Sequence, residues 1–504
     1  MTPTQPLPAP ISMQPQPFPT PPVRLAHPVL ALTAALLLSA CASLSPTGAV
    51  LPDTPLPARW SAPGGSITQE VSAQALAQWW QRFDDPALTA LVTQALQANT
   101  NVRGAQAALL QARAQRDVQA AALGPSLGAS GSAQRSRLGD TDASNRFQAG
   151  FDASWEPDVF GGNQSGVNAS EADTRAAETS LADVQVSLAA EVAVTYIELR
   201  SLQTRLAIAR SNLAAQTETL QITRWRVQAG LASSLDLEQA VAASEQTAAQ
   251  LPSLQTGVAQ ALSGLAVLTG QAPGTLEATL QAGLTTPAPI PQAPAALAMA
   301  FPAETLRQRP DVRTAEHRIS AALARVSQAD AARYPSFRLG GSLGLSALTL
   351  STLGNGASVV SSLLASVSVP LLDGGAAVAR VRAQEAALEQ ARTSYQGTVL
   401  AALKDVEDAL VSLQGNQERL TRLQTASAAA ANAELLARQR YESGLIDFRA
   451  VLDTQRTLLS TQDSVAITQA NLSADLVRLY KSLGGGWAPE AVDAGGGVAP
   501  ATGR

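Results

Sequence analysis

The sequence predicts an α+β membrane protein made of two internal repeats, each a pair of β-strands joined to long coiled helices. Three observations carry that prediction. The chain matches itself at an offset that drifts only from 210 to 214. Each half holds two short segments in which apolar and polar residues alternate with a period of two. Each half also holds a very long helical stretch without proline, Gln164–Val227 in one and Ala376–Tyr441 in the other.

The N-terminal segment sets the compartment. Residues 1–40 divide into a Pro-rich extension and a leader that begins near Arg24 and His27. Its apolar run, Val29 to Leu38, is too short to span a bilayer and has the length of a signal-peptide core. It ends in Leu38-Ser39-Ala40-Cys41, which resembles a bacterial lipobox, and Cys41 is the only cysteine. Acyl chains on Cys41 would anchor the mature N-terminus, each buried methylene contributing about 0.8 kcal/mol. The alternative is an ordinary secretory signal with an incidental cysteine. A start at Met13 would give the leader a more usual length.

The duplication fixes the domain plan. Asn101-Val102-Arg103 with Pro125-Ser126-Leu127 matches Asp311-Val312-Arg313 with Pro335-Ser336-Phe337. Pro157 and Gly161-Gly162 match Pro370 and Gly374-Gly375; Gly230-Leu231 matches Gly444-Leu445; Gly270 matches Gly484. The expected first repeat is 41–284, followed by a Pro-rich linker 285–302, a second repeat 303–484 and a disordered tail 485–504.

Within each repeat a moderate helix comes first, over Pro86–Leu123 and Pro302–Arg333. Alternation then predicts strands. Phe147, Ala149, Phe151, Ala153 and Trp155 interleave with polar or small residues, as do Phe337, Leu339, Leu343 and Leu345, and Leu363, Ala365, Val367 and Val369. Ser126–Arg135 alternates more weakly. Such segments suit transmembrane strands with one lipid face and one lumen face; soluble antiparallel hairpins are the alternative. The long helices follow. At 1.5 Å per residue, about 60 residues reach roughly 90 to 100 Å. Leu199, Leu202, Leu206, Leu213 and Leu220 keep heptad-like spacing, as do Leu403, Val406, Leu410, Leu413 and Leu420, so neighbouring helices should wind round one another. Gly230 and Gly444 end them, and shorter helices return over Leu235–Leu268 and Arg449–Leu483.

Four strands cannot close a barrel, and an open edge in lipid would leave backbone groups unsatisfied. Three copies sharing one barrel give twelve strands, an allowed even number. The long helices would then continue that barrel as a tunnel.

Further residues carry a resemblance to a family. The run Trp79-Trp80-Gln81-Arg82-Phe83-Asp84-Asp85-Pro86-Ala87-Leu88, the segment Arg309-Pro310-Asp311-Val312, and Arg440-Tyr441 with Gly444-Leu445 and Leu452-Asp453 resemble the outer-membrane efflux family. These TolC-like factors include a NodT-type lipoprotein branch, which the lipobox also fits. The resemblance implies a homotrimer with a twelve-stranded barrel in the outer membrane of a Gram-negative bacterium and a periplasmic α-helical barrel. It implies a periplasmic adaptor and an inner-membrane pump as partners. It implies that the tips at Gly230, Leu231, Gly444 and Leu445 receive the adaptor, although a plain helical turn is the alternative. It also implies that Phe448, Arg449, Leu452 and Asp453 narrow the periplasmic end, with Arg449 bonding Asp453 or Asp447. Relatives often have Leu where Arg449 stands, so this chain departs there.

Composition excludes other classes. The net charge of −5 and the absence of a dense Lys/Arg run argue against a nucleic-acid partner. No phosphate-binding loop or nucleophile elbow is present, no cofactor is expected, and the mature chain keeps one histidine, His317, so no His/Cys metal site is expected. An enzyme is therefore not expected. A structural trimeric lipoprotein, a periplasmic adaptor and a duct for protein secretion are the rival readings. The cargo is not legible; drug efflux leads, ahead of metal ions and organic acids.

Overall fold

The structure, a computed structural model, describes residues 51–52, 76–137, 139–140, 142–274, 288–292 and 303–487. Cys41, the leader, most of the linker and most of the tail lie outside the described residues.

Asp85 opens the first helix by accepting from the backbone N–H groups of Ala87 and Leu88, with Pro86 at the first helical position. That helix, α1, spans Pro86–Ala98 and buries Leu88, Leu91, Val92 and Ala95. A second helix, α2 (Thr100–Ala121), follows at once. The single helix expected over Pro86–Leu123 is thus two. The break is Asn99, whose extended backbone (φ −61°, ψ 136°) ends α1 while its side chain caps Asn101 and Val102. The second repeat breaks at the matching place. A 3-10 turn, Ala303–Gln308, precedes α6 (Pro310–Ala331), and Arg309 between them has φ −60° and ψ 134°. Pro310 enforces that extended geometry on the residue before it.

Strands β1 (Ser126–Ser136), β2 (Ser144–Trp155), β3 (Ser336–Ala347) and β4 (Val359–Ser368) form one antiparallel sheet in chain order. The register places Ala129 opposite Phe151, Phe151 opposite Leu343, and Leu127 opposite Ala153, so one face is largely apolar. The other face carries Ser130, Asp152, Gln148 and Ser342, with Ser130 donating to Asp152 at 2.8 Å. Val360 and Leu364 on β4 are the large apolar side chains on that polar face. Gly150 and Gly344 face each other there; a Cβ on Gly150 would lie 2.8 Å from Gly344 Cα. Two glycines let the strands approach where side chains would collide. Among the described residues, the outer edges of β1 and β4 have no partner strand within the protomer.

The long helices are α3 (Gly162–Gln228) and α7 (Ala376–Glu442), each 67 residues. The return in the first repeat is split into α4 (Ser234–Ala248) and α5 (Gln250–Leu268), not continuous as Leu235–Leu268. Pro252 explains the split, because it lacks the N–H that would bond the carbonyl of Ala248. The second return has no proline and runs unbroken as α8 (Phe448–Ser482).

The main core sits where the Trp79–Phe83 turn, α1, α3, α5 and α8 converge with α6 and α7. Trp79 is fully buried and stacks on Tyr480 with centroids 5.7 Å apart. The two repeats close this core in the same manner. Asn99 Nδ2 donates to the carbonyl of Leu268 at 2.9 Å, and Arg309 Nη1 donates to the carbonyl of Ser482 at 2.9 Å. Each contact satisfies a carbonyl at the C-terminal end of a return helix.

Candidate functional site

The helical tips are built twice from one local design. Gly230 has φ +71° and Gly444 has φ +72°. Gly230 N–H donates to Val227 O at 3.0 Å and Leu231 N–H to Arg226 O at 2.7 Å. Gly444 N–H donates to Tyr441 O and Leu445 N–H to Arg440 O, both at 2.9 Å. This is the Schellman arrangement, in which glycine supplies the left-handed residue and the last carbonyls are satisfied. It leaves Leu231 77% and Leu445 74% exposed, so both tips offer an apolar side chain to the outside. The first tip also has a capping box between Ser233 and Asp236; Asp447, which starts α8, makes no such side-chain bond.

The two tips touch. Arg226 lies over the Tyr441 ring at 4.3 Å and its Nη2 donates to the Glu442 carbonyl at 2.8 Å. Under them a small core joins Ala240, Ala243, Ala437, Tyr441, Phe448, Val451 and Leu452.

That core divides the expected constriction. Phe448 is 2% and Leu452 6% exposed, and Phe448 packs on Tyr441 with centroids 5.5 Å apart. Both pack inside the protomer's own tip, in the buried stripe of α8 that runs through 448, 451, 452 and 455. Arg449, Asp453 and Asp447 are exposed. Among the described residues no ion pair joins Arg449 to Asp453 or Asp447 within the protomer.

A second cluster, near the main core, centres on Arg309 and Asp311 of the Arg309-Pro310-Asp311-Val312 segment. Arg309 is side-chain buried and grips Asp311 through two bonds, Nε to Oδ1 at 3.0 Å and Nη2 to Oδ2 at 2.8 Å. It also reaches Asp405 at 3.3 Å. Burial opposes its charge, but Asp311 and Asp405 more than compensate and raise its pKa. Asp183 faces the same cavity of about 310 Å³, beside Arg478 and Lys481. Burial and then Asp311 raise the Asp183 pKa. Tyr196 donates to Asp85 at 2.8 Å and accepts from Arg200 Nε at 3.0 Å; burial pushes the Tyr196 hydroxyl up to about 12. His317 is half-buried, and burial followed by Arg175 and Arg313 lowers its pKa, favouring the neutral ring. Among the described residues no group of three or more His, Cys, Asp or Glu is placed to hold a metal ion. These charges tie helices together around the core.

An amphipathic sheet whose outer edges have no partner strand among the described residues, carrying helical hairpins far longer than its strands, is the architecture of a membrane-embedded channel protein. The chain belongs to the outer membrane efflux protein family, whose model matches residues 91–271 and 301–485. It is 31% identical over 478 residues to the toluene efflux pump outer membrane protein TtgI of Pseudomonas putida, covering 91% of this chain and 98% of that one. It is 28% identical over 465 residues to the probable outer membrane lipoprotein SilC of Salmonella typhimurium, covering 91% and 98%. The solved outer-membrane channel OprN superposes with a TM-score of 0.77 at 36% identity, over 88% of this chain and all of that one. The expected family, the outer-membrane location and the efflux role all stand.

Proposed function

We propose that this chain is the exit duct of a tripartite efflux system. Three copies close a twelve-stranded barrel in the outer membrane, and their helices form a periplasmic tunnel fed by an inner-membrane pump through an adaptor. The carrying observation is the four-stranded sheet whose β1 and β4 edges are unpaired among the described residues. Edges in lipid cost several kcal/mol per unsatisfied backbone group, and pairing β4 of one copy with β1 of the next removes both. Cys41 carries the lipid anchor. The tips at Gly230, Leu231, Gly444 and Leu445 receive the adaptor, and Arg449 and Asp453 form charged rings near the closed end. The cargo is small organic molecules, a reading supported by the toluene efflux named for TtgI.

The test is extraction of the full chain from outer membranes into mild detergent, with mass measured by light scattering, followed by planar-bilayer recording. A trimer with discrete conductance steps is expected. A monomer, or a trimer that never conducts, would overturn the reading.

A further inference from the structure

The polar face of the sheet carries only Ser, Gly, Gln, Asp and Arg on β1, β2 and β3. Strand β4 departs from that pattern with Val360 and Leu364, which are 51% and 65% exposed. In a shared barrel this face lines the lumen, since the opposite face is the apolar one that meets lipid. An aliphatic side chain there gains nothing from lipid and stands in water. Sequences break their own pattern in this way chiefly at functional positions.

The register builds a groove beside these two residues. Its floor is β3, where Gly344 lies opposite Val360, Ser342 opposite Ser362 and Gly340 opposite Leu364. Ser342 and Ser362 share a hydrogen bond of 2.8 Å that ties floor to wall. Packing demands Gly344, whose Cβ would lie 2.7 Å from the Ala149 carbonyl oxygen. It does not demand Gly340, whose Cβ would meet nothing closer than 4.0 Å. Glycine at 340 therefore acts by leaving bare backbone under Leu364, open to close approach by another molecule.

The other wall is β2, where Gly150, Asp152 and Ser154 face Gly344, Ser342 and Gly340. Asp152 thus stands in the row between Val360 and Leu364, two strand spacings or about 10 Å away. Its Oδ2 accepts from Ser130 at 2.8 Å, and among the described residues it makes no ion pair. Arg146 lies on the same strand, about 20 Å along it. Arg338 is held by Glu156 at 3.6 Å. The carboxylate facing the groove is therefore not neutralised from within the protomer. Across the trimer seam β1 of the next copy presents Ser126, Gly128, Ser130 and Ser132 on this face, too small to cover Leu364.

We infer that this groove is a transit site for apolar organic cations, with Val360 and Leu364 against the apolar body and Asp152 holding the positive charge. The inference rests on the duct proposed above and narrows its cargo. An aliphatic wall, a bare floor and one carboxylate across from them match a molecule that joins a hydrocarbon body to a fixed charge. An anion of the same shape is repelled by Asp152, and a small hydrated cation finds no use for the aliphatic wall. Three grooves line each barrel. Water reaches all of them, so each holds its cargo weakly, as conduction requires.

Planar-bilayer recording of the full-length trimer tests this with three salts added on the outer side. Benzyltriethylammonium has both features, tetramethylammonium lacks the apolar body, and benzenesulfonate has the wrong charge. Benzyltriethylammonium should reduce the parent's single-channel current at concentrations about fivefold below either of the others. Asp152→Asn, which keeps an acceptor for Ser130, should erase the preference over benzenesulfonate. Val360→Ser with Leu364→Ser should erase the preference over tetramethylammonium; Leu364→Ser alone replaces the pair if the double variant forms no trimer. Each variant is compared with its own unblocked current. Equal block of the parent by the three salts, no block by benzyltriethylammonium, or a preference that survives its matching substitution would overturn the inference. A parent that forms no trimer or passes no current would instead remove the duct, and the groove with it.

Discussion

Four glycines with almost the same backbone separate conformational strain from steric collision. Gly230 and Gly270 have φ of +71° and +72°, and Gly444 and Gly484 have +72° and +77°. A Cβ on Gly230 or Gly444 would meet nothing within 4 Å. Alanine there costs only the left-handed conformation, about 1 to 2 kcal/mol. A Cβ on Gly270 would lie 2.5 Å from the Ala98 carbonyl oxygen and 2.9 Å from its carbon. Relief requires Ala98 to move, and with it Asn99, which caps α2 and holds Leu268. Overpacking adds about 1 to 3 kcal/mol and a weakened cap about 1 more. Gly270→Ala should therefore cost about 3 to 6 kcal/mol, against 1 to 2 for Gly230→Ala. Gly484→Ala, whose Cβ would be 3.2 Å from Arg309 Cα, should fall between them. The assay is loss of helical circular dichroism on heating in detergent, with trimer retention on gels beside it. Equal midpoints for Gly230→Ala and Gly270→Ala would refute the reasoning, because strain alone would then explain both.

Other outcomes follow from the same geometry. Asp183 has a raised folded pKa, so its ionised form is disfavoured by folding and the cost is present above that pKa and lost as pH falls below the unfolded value. Asp183→Asn should raise the unfolding midpoint at neutral pH, with the gain shrinking on acidification; a gain that grows in acid would contradict the assignment. Valine at Gly230 or Gly444 should lower efflux while trimer levels hold, and unimpaired efflux from both would remove the docking role of the tips. Cys41→Ser should leave a protein without acyl mass, and an unmodified Cys41 in the parent, seen by mass spectrometry, would end the lipid anchor.

The strands and the duplication were legible because their signals are local and repeated. Alternation in Phe147–Trp155 fixes which face each side chain takes once the chain is extended, and Pro-Ser with Gly-Gly marks the same junctions twice. The breaks at Asn99 and Ala249 were not, since each falls inside a longer stretch with a helical pattern on both sides. Asn99 did carry a signal, an amide acceptor followed by two free N–H groups, with a pre-proline residue at the matching place in the second half. Pro252 was in plain view and was outweighed by the helical pattern around it. The Arg309–Asp405 and Arg226–Glu442 contacts were invisible for a different reason. They join residues 96 and more than 200 positions apart, and no local rule connects an arginine on one helix with its acceptor on another.

The expected constriction is where analogy and packing part. Position in a motif placed Phe448, Arg449, Leu452 and Asp453 together at the narrow end. Helical periodicity separates them, because residues one apart on a helix point in different directions. Phe448 and Leu452, four apart, share the face that packs on Tyr441, while Arg449 and Asp453, also four apart, share the exposed face. The apolar pair holds the tip together from within each protomer. The charged pair remains available to whatever lies outside it, and in a trimer that includes the matching charges of two other copies. Arg449→Leu should then change single-channel ion preference with little effect on unfolding, whereas Phe448→Ala should lower the unfolding midpoint by removing a buried aromatic, a loss of about 3 to 5 kcal/mol. If Arg449→Leu alters the midpoint as much as Phe448→Ala and leaves conductance untouched, the division of the tip into a packing face and a pore face fails.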